Sequence, residues 1–241
     1  MSKAKNLFII MVVLGLGLAT RLCFFCIFFI PSSSMFPTLQ IGDIVEVPIK
    51  DLLVPKHGEI WVFWGNDSAE MASQTRLIKR IVALPNDTIC INKGIIQVNH
   101  QQVSNFSIPN NVISPGLNPS LSVFPNDTSM VRWSVLNFGP LIIPRMGTKI
   151  ALNAKNLILY NQIIKQENPE KYRDFNIIQK IGGDSSRTYT FRKNYYFCLG
   201  DNLLLSHDSR YRGFIPEDKL IGMATKVLFS YKKPKRFFIP L

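Results

Sequence analysis

The N-terminal apolar stretch constrains this chain more than any other feature of its sequence. Residues 7–19 read LFIIMVVLGLGLA, and residues 22–30, after a Thr-Arg pair, read LCFFCIFFI. A single helix over these roughly 24 residues would be about 36 Å long, enough to cross the hydrocarbon core of a bilayer. We therefore predict a membrane anchor over residues 1–30, with residues 22–30 in or just above the lipid headgroups.

The charges around this stretch predict its orientation. Lys3 and Lys5 precede it, and no acidic residue occurs before Asp43. By the positive-inside rule the N-terminus stays in the cytoplasm and the body of the chain lies outside, with Arg21 near the outer interface. The alternative is a cleaved signal peptide. Against it, the stretch is longer than an ordinary signal-peptide core, and no small-x-small site precedes Pro31.

The composition excludes several classes of protein. Hydrophobic residues make up 46% and charged residues 18% of the chain, which is typical of a folded protein and not of a disordered one. The net charge is +12, and without Lys3, Lys5 and Arg21 of residues 1–30 the remainder carries 12 − 3 = +9, which suits anionic lipid headgroups or nucleic acid. Because no RRM, helix-turn-helix or zinc-finger pattern is present, we expect contact with membrane lipid and not with nucleic acid. The KKPKR run at 232–236 could rest on a membrane or form a solvated tail.

The cysteines and histidines give no indication of a metal or a cofactor. The chain has four cysteines and three histidines. Cys23 and Cys26 have the spacing of a zinc-ligand pair, but they lie in the apolar stretch without a second pair. We therefore expect no metal and no cofactor, and pairing of Cys90 with Cys198 stays open.

The body of the chain predicts a mainly β, antiparallel fold. Short β-branched and aromatic runs are separated by Gly, Pro, Asn or His, and no alternation of strand and helix patterns indicates a parallel sheet. One soluble helix is predicted at 151–165, where apolar residues recur at helical spacing. The predicted strands are residues 43–47, 59–63, 77–83, 88–91, 95–98, 188–191 and 195–199.

These patterns predict four parts of the chain. After the anchor, a β-rich core is formed by residues 31–99 and 195–230. Between its two pieces lies an inserted domain at 100–194, which contains the predicted helix and a long Asn-, Ser- and Pro-rich loop at 104–129. Residues 231–241 form a basic and apolar tail.

Three segments carry unusual polar residues. Residues 31–39 read PSSSMFPTL, residues 77–87 read LIKRIVALPND, and residues 200–211 read GDNLLLSHDSRY. Together with the intervening IGDIVEV and HGEIWVF, and in this order, they resemble the sequence boxes of bacterial type I signal peptidases. These are membrane-anchored serine proteases that release signal peptides from exported proteins. The middle of the chain is similar to the inserted domain of larger, Gram-negative members.

The resemblance implies a Ser/Lys mechanism. Ser34 matches the nucleophile and Lys79 the general base, which must lose its proton through burial to work near neutral pH. Ser32 matches the hydroxyl that joins the Ser34 N–H in the oxyanion hole, and Ser206 matches the serine that holds the lysine ammonium. A supporting ion-pair set is implied at Asp201, Arg80, Asp208 and Arg210.

The resemblance also implies the substrate and the location. Preprotein signal peptides would be cut after small side chains, at the inner membrane of a bacterium, by a monomeric enzyme. An extended substrate would add as a strand near Ile78 and near Ile30. The shallow apolar pockets are implied at Phe28, Ile30, Met35, Leu39, Val45, Val62 and Ile78, although ordinary core packing explains each of these residues as well.

Other functions stay open. A Ser-His-Asp triad is disfavoured because adjacent His207 and Asp208 point to opposite faces of an extended chain, and His57 and His100 show no partner pattern. A dedicated maturation peptidase, for pilin-type substrates for example, would share Ser34 and Lys79. A catalytically silent binding module is the further alternative. It is favoured by Leu203-Leu204-Leu205, where the family has a polar trio.

Overall fold

The described part of the chain is built mainly from antiparallel strands. The computed structural model describes residues 5–13, 15, 25–49, 53–65, 75–107, 123–125, 130–169 and 188–241. In chain order the strands are β1 (Phe25–Phe29), β2 (Asp43–Pro48), β3 (Ile60–Trp64), β4 (Arg76–Ala83), β5 (Thr88–Asn92), β6 (Ile95–Val98), β7 (Gln101–Ser107), β8 (Phe138–Ile142), β9 (Lys149–Ala151), β10 (Thr188–Thr190), β11 (Tyr195–Leu199), β12 (Ile215–Pro216), β13 (Leu220–Met223), β14 (Lys226–Ser230) and β15 (Phe237–Pro240). The prediction of a mainly β, antiparallel fold is confirmed, and each predicted strand is present with its ends within one residue of the expected positions.

Helices are few in the described residues. A helical segment covers residues 5–13 and 15. Helix α1 (Ala154–Glu167) begins after Asn153, whose side chain caps it by accepting from the Asn156 N–H. The helix predicted at 151–165 therefore begins three residues later, because Ala151 belongs to strand β9, which pairs with β10. Helix α2 (Ser209–Arg212) is a single turn capped by Asp208, and a 3-10 turn covers Glu217–Lys219.

The end of the predicted anchor is a strand and not a helix. Strand β1 pairs along its whole length with β2, from Phe25 opposite Pro48 to Phe29 opposite Ile44. Its aromatic composition favours a strand, and Phe28 packs into a buried cluster with Val45. Phe25–Phe29 are therefore not part of a helix over residues 7–30. No helix within the described residues is both long and apolar enough to span a membrane, and residues 1–4, 14 and 16–24 lie outside them.

Two sheets position the polar motifs. The first has the order β1-β2-β14-β15 and carries the segment 30–42 between its first two strands. The second has the order β12-β11-β4-β3-β13, with β4 at its centre. The C-terminal residues expected as a tail include β15, which pairs with β14.

A third sheet crosses the expected domain boundary. Its order is β7-β6-β5-β8, so strands on both sides of residue 100 share one hydrogen-bonded sheet. Part of the predicted loop at 104–129 belongs to β7, while residues 108–122 and 126–129 lie outside the described residues. The largest buried cluster joins this sheet to α1 and β11, through residues such as Ile89, Leu141, Ile164 and Phe197.

Candidate active site

The structure brings Ser34 and Lys79 into direct contact. Lys79 Nζ lies 2.7 Å from Ser34 Oγ, and both residues are buried. Ser34 lies in the turn after β1, where Met35 and Leu39 are fully buried and the Leu39 N–H donates to Met35 O. Lys79 lies in the middle of β4, opposite Trp61 of β3. A central strand and a turn anchored in the core therefore fix both partners.

Burial prepares the Lys79 amine to accept a proton. Desolvation is the main cause that lowers the pKa of Lys79 from its ordinary 10.5 to about 8, and the nearby Asp208 carboxylate partly opposes it. Lys79 Nζ also lies 2.9 Å from Ile78 O. A substantial fraction of neutral amine is thus present at mildly alkaline pH, beside a serine hydroxyl.

Ser32 lies next to the same hydroxyl. Ser32 Oγ is 3.4 Å from Ser34 Oγ, at the long limit of a hydrogen bond, and Ser32 is exposed. A serine hydroxyl in this place can turn towards a negatively charged oxygen that forms beside Ser34.

The loop that begins at Gly200 packs directly on the Ser34 turn. The Asn202 N–H donates to Ser34 O at 3.1 Å. A Cβ at Gly200 would collide with Ser34 O and with the Ser206 side chain, so only glycine permits this approach. Ser206 Oγ is buried and has no hydrogen-bond partner in the described part of the chain. The predicted Ser206–Lys79 hydrogen bond is therefore absent from these contacts. Lys79 Nζ contacts Ser34 Oγ and Ile78 O, whereas Ser206 Oγ lies against Gly200.

The four supporting residues form two separate ion pairs. Arg80 Nε and Nη2 donate to the two carboxylate oxygens of Asp201 at 2.8 and 2.6 Å. Arg210 Nε and Nη2 both lie 2.9 Å from the carboxylate oxygens of Asp208, and this second pair has no solvent exposure. The Asp208 carboxylate also accepts from the Gly200 N–H. Both pairs hold the Gly200 loop in place.

Two of the three leucines at 203–205 pack in or against the hydrophobic core. Leu203 is buried in the largest hydrophobic cluster, and Leu204 packs against that cluster. Leu205 is 54% exposed. The Leu203 carbonyl accepts from Arg210 Nη2 at 2.6 Å, so the loop keeps a polar link to the buried ion pair through its backbone.

The residues expected to line the substrate pockets lie together. Six of them are buried in one hydrophobic cluster, and Ile78, which is partly buried, packs against it. Met35, Leu39 and Val45 are fully buried, as core residues are. The buried six are Phe28, Ile30, Met35, Leu39, Val45 and Val62.

Two of the three histidines, His57 and His207, have partners that the sequence did not indicate. His57 Nε2 lies 2.6 Å from Asp87 Oδ2, a partner that no pattern in the sequence indicates. No local motif could show this pair, because the two residues lie 30 positions apart in separate loops. His207 accepts from Arg212 Nε at 3.1 Å and packs on Tyr211. The cysteines Cys26, Cys90 and Cys198 are free, so Cys90 and Cys198 do not pair.

Comparison with known proteins assigns the family. The sequence profile of the family described as "Signal peptidase, peptidase S26" matches residues 3–229. Signal peptidase I of Buchnera aphidicola subsp. Schizaphis graminum is 32% identical over 222 residues, which cover 86% of this chain and 68% of that protein. Signal peptidase I of Buchnera aphidicola subsp. Baizongia pistaciae is 33% identical over 233 residues, which cover 85% and 68%.

More distant relatives carry the same description. Signal peptidase I of Pseudomonas aeruginosa is 26% identical over 238 residues, which cover 88% of this chain and 68% of that protein. A solved signal peptidase I from Enterococcus faecalis is 18% identical, with a TM-score of 0.34, over 72% of this chain and 98% of that one. The family matches confirm the resemblance found in the sequence, and the chain belongs to the peptidase S26 family of serine hydrolases, as a type I signal peptidase.

Proposed function

We propose that this protein removes signal peptides from exported preproteins by nucleophilic attack of Ser34, with Lys79 as general base. One observation carries the proposal: Lys79 Nζ lies 2.7 Å from Ser34 Oγ in a buried setting that brings the lysine pKa to about 8. The Buchnera and Pseudomonas relatives are named signal peptidase I.

The reaction begins with transfer of the Ser34 hydroxyl proton to the neutral Lys79 amine. Ser34 Oγ attacks the carbonyl carbon of the scissile peptide bond, and the carbonyl oxygen becomes an oxyanion. The Ser34 N–H and the Ser32 hydroxyl stabilise this oxyanion. The C–N bond then breaks as the Lys79 ammonium gives its proton to the leaving amine, and Ser34 holds the signal peptide as an ester.

Water completes the cycle. Lys79, again neutral, takes a proton from water, and the hydroxide attacks the ester carbonyl. The second tetrahedral intermediate collapses, the C–O bond to Ser34 breaks, and the proton on Lys79 returns to Ser34 Oγ. The signal peptide leaves as a carboxylic acid, which loses its proton to solvent, and the enzyme returns to its starting state.

The substrate is proposed to be an extended segment with small side chains before the cleavage site. Ile78, which neighbours Lys79 in β4, belongs to the partly buried rim of the apolar cluster. Such a rim accepts Ala-sized groups more readily than large ones, because little space is open without displacing buried neighbours.

The location is proposed to be the outer face of the bacterial inner membrane, with a single N-terminal span. Apolar residues of the helical segment 5–13 are exposed, as expected for a lipid-facing helix. In the first sheet, Phe29, Ile44, Phe229 and Phe237 lie in register across the four strands, and the three phenylalanines are exposed. This apolar row and the nearby KKPKR run suit an anionic membrane surface.

A preprotein cleavage assay tests the function. The purified full-length protein in detergent is expected to cut a preprotein after a small residue, and Ser34→Ala and Lys79→Ala are expected to abolish cleavage. Matched controls are Ser33→Ala in the same turn and Lys193→Ala, which removes an exposed ion pair with Asp218. Wild-type-like cleavage by either site variant would overturn the proposal.

A further inference from the structure

Asn202 holds the backbone on both sides of the proposed nucleophile. Its side-chain Nδ2 donates to Ser33 O at 3.2 Å, and its backbone N–H donates to Ser34 O at 3.1 Å. Phe36 N–H donates a further hydrogen bond to Ser33 O at 3.0 Å. Asn202 was not among the residues that the sequence singled out for a role, although it lies in the Gly-Asp-Asn motif.

The bond to Ser33 O determines where the Ser34 N–H points. Ser33 C=O and Ser34 N–H belong to the same peptide unit, which is planar and trans, so the two groups point in opposite directions. A donor that fixes the carbonyl oxygen therefore fixes the amide hydrogen as well. Rotation of this unit would turn a carbonyl oxygen towards the place where the oxyanion forms, and the developing negative charge would then be repelled.

Asn202 is itself held on a supported loop. The Leu205 N–H donates to Asn202 O at 3.1 Å. The neighbouring Asp201 is fixed by its two hydrogen bonds from Arg80. The Gly200 N–H is bound by Asp208, which belongs to the fully buried ion pair. The hydrogen bond from Asn202 therefore comes from a loop that has anchors of its own besides its contacts with the Ser34 turn.

We propose that Asn202 is a positioning residue, which keeps the Ser34 N–H aimed at the oxyanion through its hydrogen bond to Ser33 O. This inference rests on the proposed function, because it assumes that the Ser34 N–H stabilises the oxyanion. Asn202 acts through the peptide unit and contacts neither the substrate nor the reacting atoms. Its contribution belongs to the transition state, in which the oxyanion is present, and not to substrate binding.

The test separates these two effects with Asn202→Ala in the full-length protein. We expect kcat to fall about 10- to 100-fold, less than the loss of a whole oxyanion donor, while KM changes by less than about threefold. Asn202→Gln, which keeps an amide donor, is expected to recover part of the loss. The matched control is Asn156→Ala, since Asn156 Nδ2 donates to Ala151 O at 2.9 Å at the start of α1 and is expected to leave kcat unchanged.

Two further measurements separate positioning from a general loss of structure. Substrate affinity is compared between Ser34→Ala and the double variant Ser34→Ala/Asn202→Ala, and the two are expected to agree. A peptide boronic acid, which adds to Ser34 Oγ and places an anionic oxygen in the oxyanion site, is expected to lose affinity in Asn202→Ala in proportion to kcat/KM. The pH at half-maximal kcat/KM is expected to stay unchanged, because Asn202 makes no hydrogen bond to Lys79 among the described contacts.

The outcomes distinguish this inference from the proposed function. If the wild type cleaves the preprotein and Asn202→Ala has the same kcat, or loses activity through KM alone, the positioning role is overturned. Unchanged boronate affinity in Asn202→Ala overturns it as well. If the wild type itself neither cleaves the preprotein nor forms the boronate adduct at Ser34, the proposed function fails and this inference fails with it.

Discussion

Asp208 and Arg210 form an ion pair that is fully removed from solvent beside the proposed active site. Both hydrogen bonds from the Arg210 guanidinium to the Asp208 carboxylate measure 2.9 Å, and Arg210 Nη2 also donates to Leu203 O at 2.6 Å. Two residues apart in sequence, they link the start of α2 to the loop that supports the Ser34 turn. The pair therefore contributes both to the stability of the fold and to the position of the loop beside the active site.

Breaking this pair is expected to destabilise the protein strongly. Arg210→Ala leaves the Asp208 carboxylate buried without its partner, which costs about 3–5 kcal/mol of the free energy of unfolding. Lys193→Ala, which removes an exposed ion pair with Asp218, is expected to cost less than about 1 kcal/mol. Urea unfolding of the two variants in the same detergent checks the difference. Equal midpoints would contradict the structural role of the buried pair.

The leucine trio offers a second test of stability within one loop. Leu203→Ala is expected to cost about 2–5 kcal/mol, because the removed side chain is buried in the largest cluster and leaves a cavity. Leu205→Asn is expected to change the free energy of unfolding by less than about 0.5 kcal/mol, because Leu205 is 54% exposed. Thermal unfolding of both variants measures this. A larger effect at Leu205 than at Leu203 would show that the loop packs differently in solution.

Cleavage is expected to increase with pH. Because burial lowers the pKa of Lys79 to about 8, the neutral amine that acts as base becomes the major form above that pH. The rate kcat/KM is therefore expected to rise with a midpoint near pH 8 and then to level off. A rate profile with its midpoint near the pKa of free histidine, abolished by His207→Ala, would indicate a histidine base instead.

The same pKa shift predicts a pH dependence of stability. The folded protein binds fewer protons at Lys79 than the unfolded chain does between the folded pKa of about 8 and the ordinary 10.5. The free energy of unfolding therefore increases as pH rises from about 8 to 10.5. This increase is lost again as pH falls back to about 8. Lys79→Met is expected to remove this contribution. Urea unfolding at pH 7.5 and pH 10 measures the free energy of unfolding of the wild type and of Lys79→Met. We expect it to increase more with pH in the wild type.

The sequence was most informative where its signals are local. Residues 77–83 and 195–199 are short segments rich in β-branched, aromatic and other apolar residues, and such segments predict strands without knowledge of the tertiary structure. Ser34 and Lys79 stand out in the sequence because each lies within a dense motif. Their contact, across 45 positions of sequence, could be inferred only from the resemblance to a family.

Other features depend on tertiary contacts that no local pattern encodes. Phe25–Phe29 continues an apolar run suited to a helix, but full pairing with β2 makes it a strand. The His57–Asp87 pair and the hydrogen bond from Asn202 to Ser33 O both join distant loops. Strands β6 and β7 pair as one hairpin on either side of the boundary expected at residue 100, a contact that no local pattern indicates.

Capture of an acyl-enzyme at Ser34 tests the central claim most directly. The full-length protein is mixed with excess preprotein peptide, quenched in acid, and examined by intact-mass and fragment mass spectrometry. We predict a mass increase equal to the N-terminal cleavage fragment minus one water, located on Ser34 and absent from the Ser34→Ala and Lys79→Ala variants. Cleavage by a Ser34→Ala protein, or an acyl group located on another residue, would contradict the account.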